Sequence, residues 1–558
     1  MAARSLLGLL AALLFVTPGM VPAGGMSRSS ASPVSLTQPT LTPSAASGKL
    51  RKPRLPIHRN APLPANRAAP SLLKPLPARS LNAIFNGLNQ PGLNTLDNGA
   101  FQSAPPDTTG SIGPNHYVEM VNSVIGVYNR NDLSLVTKAT FNTWLGVGFS
   151  AFPCDPQMQW DSSSQRWLYV VLECNFGLDK FLFGWSKTAD PSDLVNGWCR
   201  FSRNTPGVLT DYPKLGHNSK YMLIGTNNYS DPNTFLTAEI FWMRTPDPGV
   251  TSCSAPTVNS KGTQAQPLKN GNGTTLTSTP VPVNTSTNAA DGYVVSAYDP
   301  FGPPAIPQSK LAVWHLDTNG VLIQHPDINV TTYSIPNAAP NLGGSAFGID
   351  TLDGRLTQAV GDPITGIYAQ HTVNGAGGRS KVTWYEIQAP SSVPALTQQG
   401  DISSSTEFVF NGSISPRSDG EGAVIFYNRS SASTRVVIAT LGRMNRTPLG
   451  QMDPGEIVLA TSTAGDNDFT CNYMGGGFPC RWGDYSGASP DPVFGNVVWG
   501  SNQGLTTPSG PGNPNWVTQN YAIVGPVVRA GAHQSSPLPT PSRDPANPGS
   551  APATPNPR

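Results

Sequence analysis

The sequence predicts an all-β protein, a seven-bladed β-propeller closed by pairing of its N- and C-terminal strands and flanked by Pro-rich disordered tails. Three observations lead there. The first is composition. Glycine and proline contribute 56 residues each to a chain of 558, while charged residues make up only 12 %. That is turn-rich and poor in the Lys and Glu that long helices use. The second is pattern. Short alternating apolar runs such as His116-Tyr117-Val118-Glu119-Met120-Val121 and Lys310-Leu311-Ala312-Val313-Trp314 are bounded by Asn, Asp, Gly and Pro. Such runs read as strands, and no stretch of 12 residues keeps a helical period. The third is repetition. A unit made of a polar opening, a short apolar strand, a turn and an aromatic or β-branched strand recurs seven times.

The units open at Pro105, Cys154, Asp211, Pro282, Arg355, Asn411 and Arg481. Anchored on the strand after the turn, they align Tyr117, Trp167, Tyr221, Tyr293, Tyr368, Val424 and Val497, at intervals of 50 to 75 residues. Four-stranded propeller blades with loop insertions have that length. Leu81–Gly87 ahead of the first unit and Ala522–Val528 after the last are expected to pair in one blade and leave no long free edge. Two or three β-sandwiches in series would also show many short strands. A single repeat running across the core without a linker favours the propeller.

Outside the core, Arg4 followed by the apolar run Leu6–Val16 and the small-residue stretch ending at Ala23 read as a secretory signal over 1–23. The run is too short for a membrane span, no second one follows, and a membrane-spanning protein is excluded. Residues 24–79 form a Pro/Ser-rich linker, 80–530 the propeller and 531–558 a Pro-rich tail. The expected location is secreted, extracellular or cell-wall associated. Six cysteines suit that compartment, and sequence neighbours give Cys154–Cys174, Cys199–Cys253 and Cys471–Cys480 as the simplest of 15 connectivities. Sequons stand at Asn228, Asn272, Asn284, Asn329, Asn411, Asn428 and Asn445. A net charge of +2 offers no basic surplus for a phosphate backbone, so nucleic acid is not an expected partner.

The opening PPDTTGSIGPNHYVEMVNS, the segment DPQMQWDSSSQRW and the segment CRWGDYSGASPDP resemble hallmarks of secreted, largely uncharacterised proteins similar to sialidase-type propellers. The resemblance spans most of 81–530 and implies the fold. It implies no chemistry, because the Ser-x-Asp-x-Gly-x-x-Trp boxes of true sialidases are missing from this chain.

In a propeller the innermost strands line the channel, and residues opening the units meet at its mouth. The candidates are Asp107, Asp155, Asp211, Arg355 with Gln358, and Arg481 with Asp484, joined by Asn284 and Asn411. A ring of aspartates with two arginines suits an extracellular glycan or protein ligand, and offers a candidate Ca²⁺ site although no cofactor is required. It could also supply the carboxyl pair of a glycan-active hydrolase or lyase. Capping of turns by aspartate is the competing structural explanation. No G-x-S-x-G or H-E-x-x-H occurs, and only seven glutamates are present, none at a unit opening. Trp160, Trp167, Trp185 and Trp198 are expected between blades rather than on a sugar platform. A structural cell-wall or matrix role, resting on the Pro-rich tails, is the third function class.

Overall fold

A computed structural model describes Arg54, Pro56, Ile57–Arg59 and 84–527, apart from short interruptions at 100–101, 149–150, 176–178, 232–233, 302–305, 364, 389–392, 472–476 and 511. The expected signal peptide, most of the expected linker and the tail beyond 530 lie outside the described residues.

Seven antiparallel sheets follow one another along the chain, and each begins at its innermost strand. The innermost strands are Thr109–Ile112, Pro153–Asp161, Leu209–His217, Val281–Pro282, Leu356–Asp362, Phe408–Pro416 and Gly487–Pro490. Each packs beside the innermost strand of the next blade, so the ring runs through all seven and back to the first. All seven anchor residues fall on the second strand of a blade. Blades one, two, three, five and six have four strands, while in blade four two short strands both pair with Gln308–Leu316. Inner blade strands are sandwiched between neighbouring blades and bury both faces, while an outer strand such as Leu135–Thr140 has no buried residue. Arg166–Glu173 is buried at every position, which is why its sequence reads as a continuous apolar run.

The fourth strand of blade seven comes from the other end of the chain. Phe85–Asn94 pairs antiparallel with Trp516–Val524, in register Phe85 with Val524 and Asn94 with Val517. This closes the ring through the two terminal segments, with a strand longer than the one expected from Leu81–Gly87. Gly87, Pro91 and Gly92 look like turn residues in sequence. Pro91 is accommodated because the strand is the edge of its sheet, where its missing N–H goes unnoticed, and Gly92 because a Cβ there would lie 2.5 Å from Glu119 Oε2. Buried Glu119 of blade one holds the closing strand from inside. It accepts hydrogen bonds from the Leu93 N–H at 3.1 Å, the Tyr128 hydroxyl at 2.8 Å and Asn520 Nδ2 at 2.8 Å.

An apolar cluster fills each of the seven blade interfaces. The tryptophans lie there: Trp160, Trp167 and Trp198 between blades one and two, and Trp185 between blades two and three. At the closure, Tyr117 of blade one stacks on Trp499 of blade seven, with centroids 5.5 Å apart. The disulfides are Cys154–Cys174, Cys199–Cys253 and Cys471–Cys480. Among the described residues no helix is long and apolar enough to cross a membrane.

Inside the stretch expected to be linker, Ile57–Arg59 forms a short strand against Gln102–Ala104. This two-stranded ribbon is a sheet of its own, tied to blade seven where the Ser103 carbonyl accepts from Trp516 Nε1 at 2.8 Å, and it brings Arg54 to the end of the channel where the innermost strands begin.

Candidate functional site at the channel mouth

The innermost strands begin with unusual backbone. Asp107, Asp155, Tyr212, Thr279 and Asn411 have φ values of +46°, +50°, +54°, +51° and +48°. In blades two, three and six the pairing with the second strand slips immediately afterwards, forming a bulge. A bulge turns the strand and re-aims the side chains beside it. Asp and Asn visit left-handed backbone more readily than most residues, whereas Tyr212 and Thr279 hold it at a cost of the order of 1–3 kcal/mol each. The recurring Asp or Asn at the unit openings is therefore partly a backbone signal.

The side chains nevertheless do more than cap their own turns. Asp107 accepts from the Asp484 N–H at 2.6 Å, across 377 residues, and from Asn122 Nδ2 at 2.6 Å. Asn122 in turn accepts from the Asp155 N–H at 2.8 Å, tying blade one to blade two. Both oxygens of Asp211 accept from the Arg54 N–H at 3.1 Å. Asp484 accepts from Arg54 Nε at 2.8 Å and from Arg481 Nη2 at 3.1 and 3.2 Å. Among the described residues neither carboxylate oxygen of Asp155 has a hydrogen-bond donor. All four aspartates are fully buried.

Charge is concentrated and divided. Burial pushes Asp107 up to about 7, aided by Asp484 and opposed by Arg481. Burial, with Asp107, Asp211 and Asp484 adding repulsion, lifts Asp155 well above the usual carboxylate range. Asp211 rises to about 6 because burial outweighs Arg355 and the Arg54 N–H. Asp484 is also penalised by burial, but Arg54, Arg481 and Arg355 outweigh it and hold this carboxyl below its ordinary value. Similar carboxyls are thus driven apart by their surroundings.

Sequence reasoning missed several members. Lys214 reaches over the rings of Tyr212 and Tyr485, 4.0 and 3.6 Å from their centroids, and its ammonium has no hydrogen-bond acceptor among the described residues. Burial lowers its pKa, against the pull of Asp484 and Asp155. The two tyrosines meet edge to face at 5.8 Å, and the Tyr212 hydroxyl donates to the Asp484 carbonyl at 2.8 Å. A signal for them existed: Asp211-Tyr212 and Asp484-Tyr485 repeat the same dipeptide at equivalent openings. Asp350 and Asp353 precede the innermost strand of blade five. Arg54 comes from a segment with no strand pattern to mark it.

Arg355 is brought to the site but is engaged by its neighbour Asp353, through Nε at 2.8 Å and Nη2 at 2.7 Å. Its guanidinium lies 4.3 Å from the Tyr212 ring centroid. Gln358 donates from Nε2 across to the Ala488 carbonyl at 2.7 Å, linking blades five and seven. Asn411 bonds Asn428 and Asn502 instead of the aspartates. Asn284 sits at the far end of the ring, bridging His217 and Val360. The opening of blade four is Thr279, ahead of its strand.

Among the described residues, the acidic and thiol groups that come within 4.8 Å of one another in threes are Cys154, Asp155 and Cys174, and Asp466, Cys471 and Cys480. Their cysteines are spent in disulfides and offer no thiolate. No three aspartates of the mouth approach that closely.

No protein-family model and no curated protein sequence matches this chain. Solved structures do. The Dos1 propeller is similar at 9 % identity and a TM-score of 0.38, over 78 % of this chain and 95 % of that one. Drosophila Semaphorin 1b, extracellular domains 1–2, is similar at 8 % identity and a TM-score of 0.33, over 80 % and 87 %. An exo-beta-1,3-galactanase from Phanerochaete chrysosporium with bound galactose is similar at 10 % identity and a TM-score of 0.28, over 75 % and 94 %. The fold rests on the chain's own sheet order and closure, and function has to be argued from the site.

Proposed function

We propose that the chain is an extracellular binding propeller whose ligand site is the acidic mouth of its channel. The observation that carries this reading is convergence without neutralisation. Aspartates of four blades meet at one place, and among the described residues Asp155 keeps both oxygens without a donor near Lys214, whose ammonium faces two tyrosine rings but has no hydrogen-bond acceptor. Turn capping would direct each carboxylate to its own backbone. Burying charge that is not fully paired costs stability, and its persistence at a channel mouth is the pattern of a ligand site. Three disulfides support placing the protein in an oxidising compartment. The test is binding of the full-length protein and of Asp155→Asn to glycan and peptide arrays. The reading expects at least one ligand class to be lost in the variant. Array binding that survives Asp155→Asn in full would overturn it.

One observation favours a second reading, acid–base hydrolysis of a glycan. Asp107, held up at about 7, accepts from the Asp484 N–H and lies beside a carboxyl held low. Such a pair is the raw material for a general acid and a base. Release of reducing ends from a polysaccharide panel, abolished by Asp484→Asn, would favour it over simple binding.

A further inference from the structure

We propose that the channel mouth is an arginine receptor, which takes the guanidinium and adjoining main chain of an extended peptide, and that Arg54 is its resident occupant in competition with a partner's arginine. This rests on the mouth being a ligand site, and it names the ligand. Four polar atoms of Arg54 are read by four different residues. Its N–H meets both oxygens of Asp211 at 3.1 Å, and its carbonyl accepts from Arg481 Nη2 at 2.8 Å. The guanidinium gives Nε to Asp484 at 2.8 Å and Nη2 to Asp350. Two carboxylates approached by two nitrogens of one planar group suit a guanidinium, whereas an ammonium offers a single point of charge. Reading of main-chain N–H and C=O together selects a peptide over a free cation.

The charge balance agrees. Six aspartates, Asp107, Asp155, Asp211, Asp350, Asp353 and Asp484, share the site with Lys214, Arg355 and Arg481, and Arg355 is already committed to Asp353. Arg54 supplies a fourth cation, with its side chain 16 % exposed while that of Asp484 is fully covered. Its anchorage is slight. Among the described residues, the segment's strand pairing is that of Ile57–Arg59 with Gln102–Ala104, in a sheet separate from the seven blades. Gln102–Ala104 is buried and tied to blade seven, where the Ser103 carbonyl accepts from Trp516 Nε1 at 2.8 Å, so the receptor's half of the ribbon is rigid, while a strand of three residues adds few ladder hydrogen bonds to hold the occupant. Tethering keeps it ahead of dilute competitors, because a short flexible link gives an effective concentration on the order of millimolar.

The experiment uses the full chain, wild type and Arg54→Ala, with a fluorescently labelled peptide of residues 52–56, Lys52-Pro53-Arg54-Leu55-Pro56. Fluorescence anisotropy is expected to show binding at least tenfold tighter to the variant than to wild type. The same peptide with alanine in place of its arginine should bind neither protein, and one with lysine there should bind at least tenfold more weakly. Should Arg54→Ala fail to fold, Arg54→Lys keeps the charge, and the arginine peptide is expected to bind it more tightly than wild type. Equal affinity for wild type and a folded variant, or binding indifferent to the peptide's arginine, overturns the proposal. If the peptide does not bind but an array ligand is lost in Asp155→Asn, the arginine assignment falls and the ligand site stands. If array binding survives that variant, the ligand site itself falls.

Discussion

Replacing Asp107 by asparagine isolates the electrostatic cost of the acidic mouth. Asparagine has nearly the same shape and tolerates the left-handed backbone at φ +46°. One oxygen can still accept from the Asp484 N–H, while the bond from Asn122 Nδ2 is lost to donor facing donor. That loss costs about 1–3 kcal/mol at every pH. The charge effect depends on pH. Asp107 titrates at about 7 in the folded ring instead of its ordinary 3.8, which is worth about 4 kcal/mol. Because the folded state keeps a proton that the unfolded chain has released, this stabilisation is complete below about pH 4. It is lost as pH rises through 7. Wild-type stability should therefore fall across that window on account of Asp107, and Asp107→Asn should not share this fall. Urea unfolding of both proteins at pH 4.5, 6 and 8 measures the difference. The variant should gain about 3 kcal/mol on wild type between pH 4.5 and 8, ending equal or more stable at pH 8. A difference constant to within about 1 kcal/mol would refute the claim that burial and Asp484 hold this carboxyl high.

Glu119→Ala should strand three buried donors at the ring closure, at a cost of about 3 kcal/mol or more, and hydrogen exchange should accelerate along 85–94. An unchanged melting temperature would count against Glu119 as the clasp. Removing Cys199–Cys253 by a double alanine substitution releases a loop of 54 residues, and the chain-entropy model puts the loss at about 4 kcal/mol in denaturant unfolding. Thiol titration of the unreduced, denatured protein should find none free. In a host that glycosylates sequons, peptide mapping of the folded protein should find glycan at the exposed Asn272, Asn329 and Asn445. The buried Asn228, Asn284, Asn411 and Asn428 should stay bare. Full occupancy of Asn428, which bonds the Gln503 carbonyl in the ring, would contradict the blade packing.

What the sequence determined by itself is local and periodic. Alternation and turn chemistry place a strand at each of the seven anchors, because a strand buried between two blades must be apolar and must stop at residues that turn. The Asp and Asn at the openings were legible for the same reason, since left-handed backbone before a bulge favours those side chains. Tertiary structure decided the rest. Phe85–Asn94 becomes a strand although it contains Gly87, Pro91 and Gly92, because Trp516–Val524 offers it an edge. Asn284 lies at the far end of the ring because blade four opens at Thr279, and no spacing in the sequence announces that shift. Lys214 looks like a strand lysine, and only the meeting of blades three and seven shows it between two tyrosines. Arg54 is the extreme case. Its segment has no apolar period to read, and its place is set by carboxylates up to 430 residues away. Burial raises the strength of such charge contacts, and burial exists only after the ring has closed.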